Sequence, residues 1–357
     1  MILEQNSPTV QFENQSDFDK IISFESLYKA HRRARLGKRW KNEVIDFEAN
    51  LAKNLWALHF DLKYAKYQVG AYHKFMIYDP KEREIQAISY RDRIVQHSLC
   101  DNYLIPLLEK RLIYDNCACR KGKGTHFAFS RLKKFIHEYY RQNGTRGYFV
   151  KIDVRKYFPS IDHEVLIEKL SKIVKDAQVF ALVKKIISSY EFLPSKGLPM
   201  GNQTSQCFAL LYLDCIDRYI KEECHIKYYL RYMDDMILIV KDKSEAKRIL
   251  SAVSQKLTDL SLTINSKSQC FPIKNGVDFL GWHFFISSSG KMVQKLKKDV
   301  KKRIINRVKN TLYCIDAGVI PRSRRNVLVE SYCGHLSYGN AYLFYKKLVN
   351  CIMQLYE

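Results

Sequence analysis

The chain has 357 residues, 46% hydrophobic and 13% aromatic, enough to bury a large core in two or three modules. Its 60 Lys and Arg against 37 Asp and Glu leave a formal charge of +23, a field that draws polyanions, nucleic acid above all. No apolar run approaches the roughly 20 residues that cross a bilayer, and the polar, acidic start MILEQNSPTVQFENQSDFDK lacks the basic stretch and apolar core of a signal peptide, so a cytoplasmic protein without a membrane partner is expected.

In chain order, residues 24–64 predict helices. One carries the basic run Arg32, Arg33, Arg35, Lys38, Arg39 and Lys41; the next shows an apolar stripe of Leu51, Leu55 and Leu58. The basic run is either a solvated face or a nucleic-acid contact. Residues 72–90 alternate around Asp-Pro-Lys-Glu and predict a hairpin. GYFVKIDV (147–154) predicts a buried strand ending at Asp153, after which Pro159 breaks the strand and Ser160 or Asp162 caps a helix bearing Leu166, Leu170 and Ile173. GLPMGNQTS predicts a loop feeding a helix whose core face is Phe208, Leu211, Cys215 and Tyr219. YYLRYMDDMILIV (228–240) predicts a hairpin, 245–260 an amphipathic helix, and VDFLGWHFF (277–285) a last hairpin strand. From 294 on, Leu296, Val300, Ile304, Val308 and Leu312 recur every four residues with lysines and arginines on the other faces, which predicts a helical module with one side against a phosphate backbone. Helices and antiparallel hairpins together predict an α+β fold. The ten cysteines form no C-x-x-C pair, and most have apolar neighbours, so reduced core thiols are expected rather than a zinc site.

The adjacent carboxylates Asp234 and Asp235 sit inside an apolar, strand-like run. A hairpin tip accounts for them, because Asp tolerates turn geometry. A divalent ion accounts for them as well. Two-metal phosphoryl transfer needs carboxylates from separated stretches of chain to hold ions about 4 Å apart. If the strand ending at Asp153 neighbours the 228–240 hairpin, the three carboxylates converge, and Mg²⁺ relieves their repulsion.

The ordered set FVKIDVRKYFPSIDH, GLPMGNQTSQ, YMDD, LSLTINSKS and VDFLGWHF resembles reverse transcriptase motifs A to E in order and spacing. DPKEREIQAISYRDRIVQHSLC and NCACRKGKGTHFAFSRL look like the fingers motifs of bacterial retroelement reverse transcriptases, and SYCGHLSYGNAYLF like their thumb. The resemblance implies a right-hand polymerase: an N-terminal helical extension at 1–71, fingers and palm at 72–290, and a helical thumb at 291–357. It implies an RNA-directed DNA polymerase using two Mg²⁺ ions, with Mn²⁺ as a substitute, held by Asp153, Asp234, Asp235 and the Val154 carbonyl. Lys267 matches the lysine that protonates the leaving pyrophosphate, although a lysine after a strand is also simply solvated. Lys81 and Arg83 fall where the fingers hold the triphosphate, and Phe158 where an aromatic lies under the incoming sugar, unless it plugs the core beside Tyr157. Gly201 to Gln206 would form the loop and helix start beneath the templating base, with Gly201 and Gln206 contacting the nucleotide. Ser205, Tyr232, Gly281, Trp282, Lys297, Lys298 and Lys301 would contact primer and template.

Where retroviral and group II intron enzymes carry Pro-Gln-Gly and Ser-Pro, this chain has Pro199-Met200-Gly201 and Ser205-Gln206. That form resembles the reverse transcriptases of diversity-generating retroelements, which copy a cognate non-coding RNA with a small helical accessory protein. It also occurs in enzymes of antiphage defence. The implied partners are template RNA, RNA/DNA hybrid and dNTPs. A catalytically inactive RNA-binding scaffold would have lost a carboxylate. An RNA-dependent RNA polymerase would carry Gly-Asp-Asp and a small or polar residue in place of Phe158.

Overall fold

The computed structural model describes residues 16–78 and 82–353. The chain forms two compact units, each assembled from two stretches: Met1–Leu112 with Lys156–Asp214, and Ile113–Arg155 with Cys215–Glu357.

The first unit opens with helices Asp17–Ile22, Phe24–Ala34, Asn42–Ala49 and Leu51–Lys63. Ser16 and Ser23 cap the first two by accepting from the Asp19 and Ser26 amides. The predicted hairpin follows as β1 (His73–Ile77) and β2 (Arg83–Ala87), antiparallel with His73 opposite Ala87. Helix Tyr90–Leu99 is capped by Ser89. Its buried Asp92 accepts from the Tyr67 hydroxyl at 2.7 Å and the Gly70 amide at 2.9 Å, tying the two segments together.

Three local expectations need correction in this stretch. Pro159 lies inside a short helical turn, Tyr157–Ser160, and does not end the strand; the chain has already reversed at Lys156, whose φ is +46°. Of the two expected caps, Asp162 is the one that caps helix His163–Ser171, accepting from the Glu164 and Val165 amides. That helix ends at Ser171, so Val174 rather than Ile173 takes the buried position. The core face drawn through Phe208, Leu211, Cys215 and Tyr219 holds only for its first half. Helix Gln203–Tyr212 stops, a new turn begins at Asp214, and a wide turn follows at Tyr219–Glu223. The phase shift leaves Cys215 exposed and buries Ile216 and Ile220 instead.

The second unit holds two antiparallel sheets. β3 (Tyr148–Asp153) lies inside the order β4-β5-β3-β6, with β4 Tyr229–Tyr232, β5 Asp235–Val240 and β6 Gln269–Pro272. Phe149, Val150 and Ile152 are fully buried, which explains the near-continuous apolar run. Helices Thr125–Asn143 and Lys243–Asp259 pack on this sheet. The second sheet is a meander of β7 (Val277–Phe279), β8 (Trp282–Ile286) and β9 (Met292–Leu296). Residues 277–285 are therefore two strands, joined by a tight turn in which Leu280 and Gly281 both have positive φ (+45° and +86°). Leu296 belongs to β9, and the helical seam starts later: helix Lys298–Asp316 buries Ile304, Val308 and Leu312. Helices Arg324–Leu336 and Tyr342–Met353 complete the unit. Of the ten cysteines, all free thiols, only Cys100, Cys117 and Cys207 are buried; apolar sequence neighbours did not mark the buried face.

Candidate active site

Strand pairing brings two separated carboxylates together. In the β3–β5 register Asp153 lies directly opposite Asp235, so their Cβ atoms are close neighbours across the ladder. In the β4–β5 register Tyr232 faces Asp235, which leaves Met233 and Asp234 as a two-residue turn, Met233 at φ +54°. Asp234 therefore projects from the turn while Asp235 opens the strand.

A buried ion pair fixes this turn. Arg231 and Asp217 are both fully buried and meet through two contacts, Nε to Oδ1 at 2.7 Å and Nη2 to Oδ2 at 2.6 Å. The remaining guanidinium nitrogen donates to the Met233 carbonyl at 3.0 Å. Tyr229 donates its hydroxyl to Asp217, and the backbone of Asp115–Cys117 pairs along β4 through the Arg231 amide and carbonyl. The other end is clamped as well. The Asp153 carbonyl accepts from the Asn265 amide at 2.7 Å and the Ser268 hydroxyl at 3.2 Å, while the Asp153 amide donates to Ser268 Oγ at 2.9 Å. Val154, buried, bridges Ile264.

Two facing acids need a cation. Lys151, two residues before Asp153 and so on the same strand face, places Nζ 3.5 Å from Asp235 Oδ2 and donates to the Asp278 carbonyl at 2.7 Å. Burial, with repulsion from Asp153 and Asp234, still outweighs Lys151 and pushes the Asp235 carboxyl up to about 7. Asp235 Oδ1 is buried without a hydrogen-bond partner, a costly state for an ionised oxygen that a bound cation would relieve. Among the described residues no three His, Cys, Asp or Glu side chains are gathered as a closed ligand set. The structure brings together the Asp153–Asp235 pair, with Asp234 adjacent in the turn.

Asp153, Asp235, Lys151 and Lys267 line one cleft of about 620 Å³, with Asp278 and His283 on its wall. Lys267 is exposed there, its amide held by Asn265 Oδ1 at 3.1 Å. Asp278 accepts from His283 Nδ1 at 2.7 Å and Lys297 Nζ at 2.8 Å. Burial alone would raise the Asp278 carboxyl, but these two partners together hold it below the usual range. Lys297 is therefore committed to an ion pair. Lys298 is exposed, and Lys301 lies 5.5 Å from the Phe344 ring. Trp282 corrects the expectation of a primer contact: its side chain is fully buried, pressed against Gly339, where an added Cβ would lie 2.3 Å from the indole. Gly281 beside it occupies the turn, and Tyr232 is half-buried.

The first unit gathers the remaining expected residues. Gly201, exposed at φ +102°, and Gln206 line a polar cavity of about 330 Å³ with Lys38, Arg93, Asn202 and Gln203. Gln96, also on its wall, accepts from the Thr204 hydroxyl, and Gln203 donates to Asp101. Those bonds leave Gln96 Nε2 and Gln203 Oε1 buried and unsatisfied, along with Asn202 Nδ2. Ser205 is itself buried. Arg83 is exposed on β2, and Lys81 lies outside the described residues. Tyr157 is buried and donates to the Ala209 carbonyl, whereas Phe158 remains half-buried.

Sequence reasoning missed Lys151, Ser268, Asp278 and His283 in one locus and Gln96 in the other. The period-2 alternation of β3 could have found Lys151. The others depend on pairings between distant segments that no local pattern announces.

A family profile described as reverse transcriptase (RNA-dependent DNA polymerase) matches residues 78–284. Curated relatives include a putative COX1/OXI3 intron 1 protein of Saccharomyces cerevisiae, 21% identical over 311 residues, covering 70% of this chain and 36% of that protein. Its intron 2 counterpart is 23% identical, covering 54% and 29%, and protein YkfC of Escherichia coli is 24% identical, covering 66% and 72%. The chain thus spans about a third of the length of the two yeast relatives. Similar solved structures include a telomerase of Candida albicans in complex with a telomeric RNA fragment (TM-score 0.49, 13% identity, covering 84% of this chain and 64% of that one). Another is an apo telomerase of Candida tropicalis (TM-score 0.48, 14% identity, covering 69% and 53%). No helix among the described residues is long and apolar enough to cross a membrane.

Proposed function

The chain belongs to the reverse transcriptase family, whose members have a right-hand polymerase fold, and from that premise we propose that it synthesises DNA on an RNA template. The observation that carries this reading is the register that sets Asp153 opposite Asp235, with Asp234 in the adjoining turn.

The family implies a divalent metal, and the unsatisfied Asp235 oxygen beside Asp153 fits one. Asp153, Asp234, Asp235 and the Val154 carbonyl would hold it. When bound, Mg²⁺, or Mn²⁺ in its place, makes the primer hydroxyl more acidic and offsets charge on the leaving pyrophosphate, two ions sharing the task. Lys151 restrains Asp235 from below. Lys267, free to reach into the cleft, donates a proton to pyrophosphate. Arg83 and Lys81 grip the triphosphate. Gly201 and Gln206 border the nucleotide, and Tyr232, the Gly281 turn, Lys298 and Lys301 hold the primer and template. Ser205, Trp282 and Lys297 act through packing and ion pairing. In this reading residues 72–290 hold fingers and palm, and the thumb helices begin at Lys298.

Phe158 governs which sugar enters. Its half-exposure beside a buried Tyr157 supports a contact role over a core plug. An apolar ring crowds a ribose 2′-hydroxyl and offers it no hydrogen bond, a cost of about 1–3 kcal/mol, or roughly ten- to two-hundred-fold discrimination. Phe158→Ala is expected to raise GTP use relative to dGTP in single-nucleotide kinetics while the protein stays folded. Equal losses for both substrates would make Phe158 a packing residue.

The Pro199-Met200-Gly201 and Ser205-Gln206 sequence supports a diversity-generating retroelement as the setting, with a cognate non-coding RNA and a small helical accessory protein as partners. Sequencing the RNA that copurifies with the protein tests this. A template repeat matching a neighbouring variable gene supports it, and a compact structured RNA without such a match indicates antiphage defence instead.

A further inference from the structure

Helix Leu51–Lys63 buries Leu55, Leu58 and Leu62 and turns a second, aromatic face outward. Trp56, Phe60 and, just past the helix end, Tyr64 follow at intervals of four, which stacks them on one side. They are 46%, 46% and 60% exposed. Ring centroids step 5.7 Å from Trp56 to Phe60 and 6.1 Å from Phe60 to Tyr64, with planes tilted by only 27° and 13°. Phe24 extends the row, 5.1 Å from Trp56. Four rings thus form a continuous, half-exposed ladder that no part of the site described above uses.

We propose that this ladder is a second RNA-binding surface, a platform on which unpaired bases of a single strand stack. Charge selects this occupant. Lys53, Lys63 and Lys66 are exposed around the ladder, and none makes an ion pair among the described residues, while the nearby Asp61 is taken by Arg91. Aromatic rings beside unpaired cations are the elements with which proteins hold single-stranded nucleic acid without reading its sequence. A second copy of this +23 chain would set like charges against these lysines. An apolar protein helix would leave them unanswered.

The test uses the full chain and a uridine-rich single-stranded RNA carrying 4-thiouridine, and it reads binding, so it is independent of DNA synthesis. Irradiation is expected to crosslink the RNA to the peptide holding Trp56, Phe60 and Tyr64. Trp56→Ala with Phe60→Ala is expected to weaken binding at least tenfold, while Trp56→Phe with Phe60→Tyr restores it, a pattern that misfolding would not give. Lys53→Gln with Lys63→Gln should lower the slope of log affinity against log salt by about 1.4, near 0.7 per contact on a single strand. Crosslinks confined to other peptides with unchanged affinity would overturn the proposal. So would ladder variants that lose self-association or vesicle binding while RNA affinity stays constant.

Discussion

Asp153→Asn is expected to reduce Mg²⁺-dependent DNA synthesis by a thousandfold or more while RNA affinity stays within about twofold. Loss of a metal-binding oxygen removes several kcal/mol of transition-state stabilisation, and about 4 kcal/mol corresponds to three decades of rate. Asn keeps the shape of the side chain, and the backbone clamp from Asn265 and Ser268 does not involve the carboxylate. The fold therefore has no reason to fail. Without metal, the variant should be at least as stable as the parent, because one of two facing acids has been neutralised. Asp234→Asn should behave alike in primer extension. Near-parental extension by either variant, with unchanged filter binding of RNA, would remove these residues from the site.

The second large effect is structural. Arg231→Leu strands Asp217 in the core, fully buried and without its partner, and deletes the bond to the Met233 carbonyl. Breaking a buried pair from one side costs about 3–5 kcal/mol, read as a lower denaturation midpoint in urea. Replacing both, Arg231→Leu with Asp217→Leu, should recover much of that loss, since an apolar pair of similar volume avoids desolvating two charges. Activity is expected to stay low in the double variant, because the turn that carries Asp234 still lacks the guanidinium bond to the Met233 carbonyl. A single variant within 1 kcal/mol of the parent would show that the pair does not govern this hairpin.

These contrasts indicate what the chain's local pattern could reveal. Asp153 was legible because a near-continuous apolar, strand-like run closes on an acid, and Asp234–Asp235 because two like charges interrupt a strand-like stretch. Both are local signals. Asp278 was not legible, because its link to Asp235 runs through Lys151 and depends on two sheets meeting in one cleft, whereas Lys151 itself lies in the alternation of β3. Burial faces failed where helical phase broke: extending a four-residue row through Leu213 placed Cys215 inside, and extending one back from Val300 put the β9 residue Leu296 into a helix. Lys297 belonged by charge to a basic face, yet its partner Asp278 lies on β7, out of reach of any helical pattern. The cavity around Gly201 shows the same limit, since Gln96 and Asn202 are far apart in sequence and meet only in the folded unit.

Extension of a labelled DNA primer on an RNA template, with purified protein, dNTPs and Mg²⁺, tests the central claim most directly. The expectation is a product complementary to the RNA, resistant to alkali, sensitive to DNase, lost with EDTA and lost in Asp234→Asn. An alkali-labile product made from NTPs would contradict it, as would product that persists in Asp234→Asn, or a folded, RNA-binding protein that extends no primer at all.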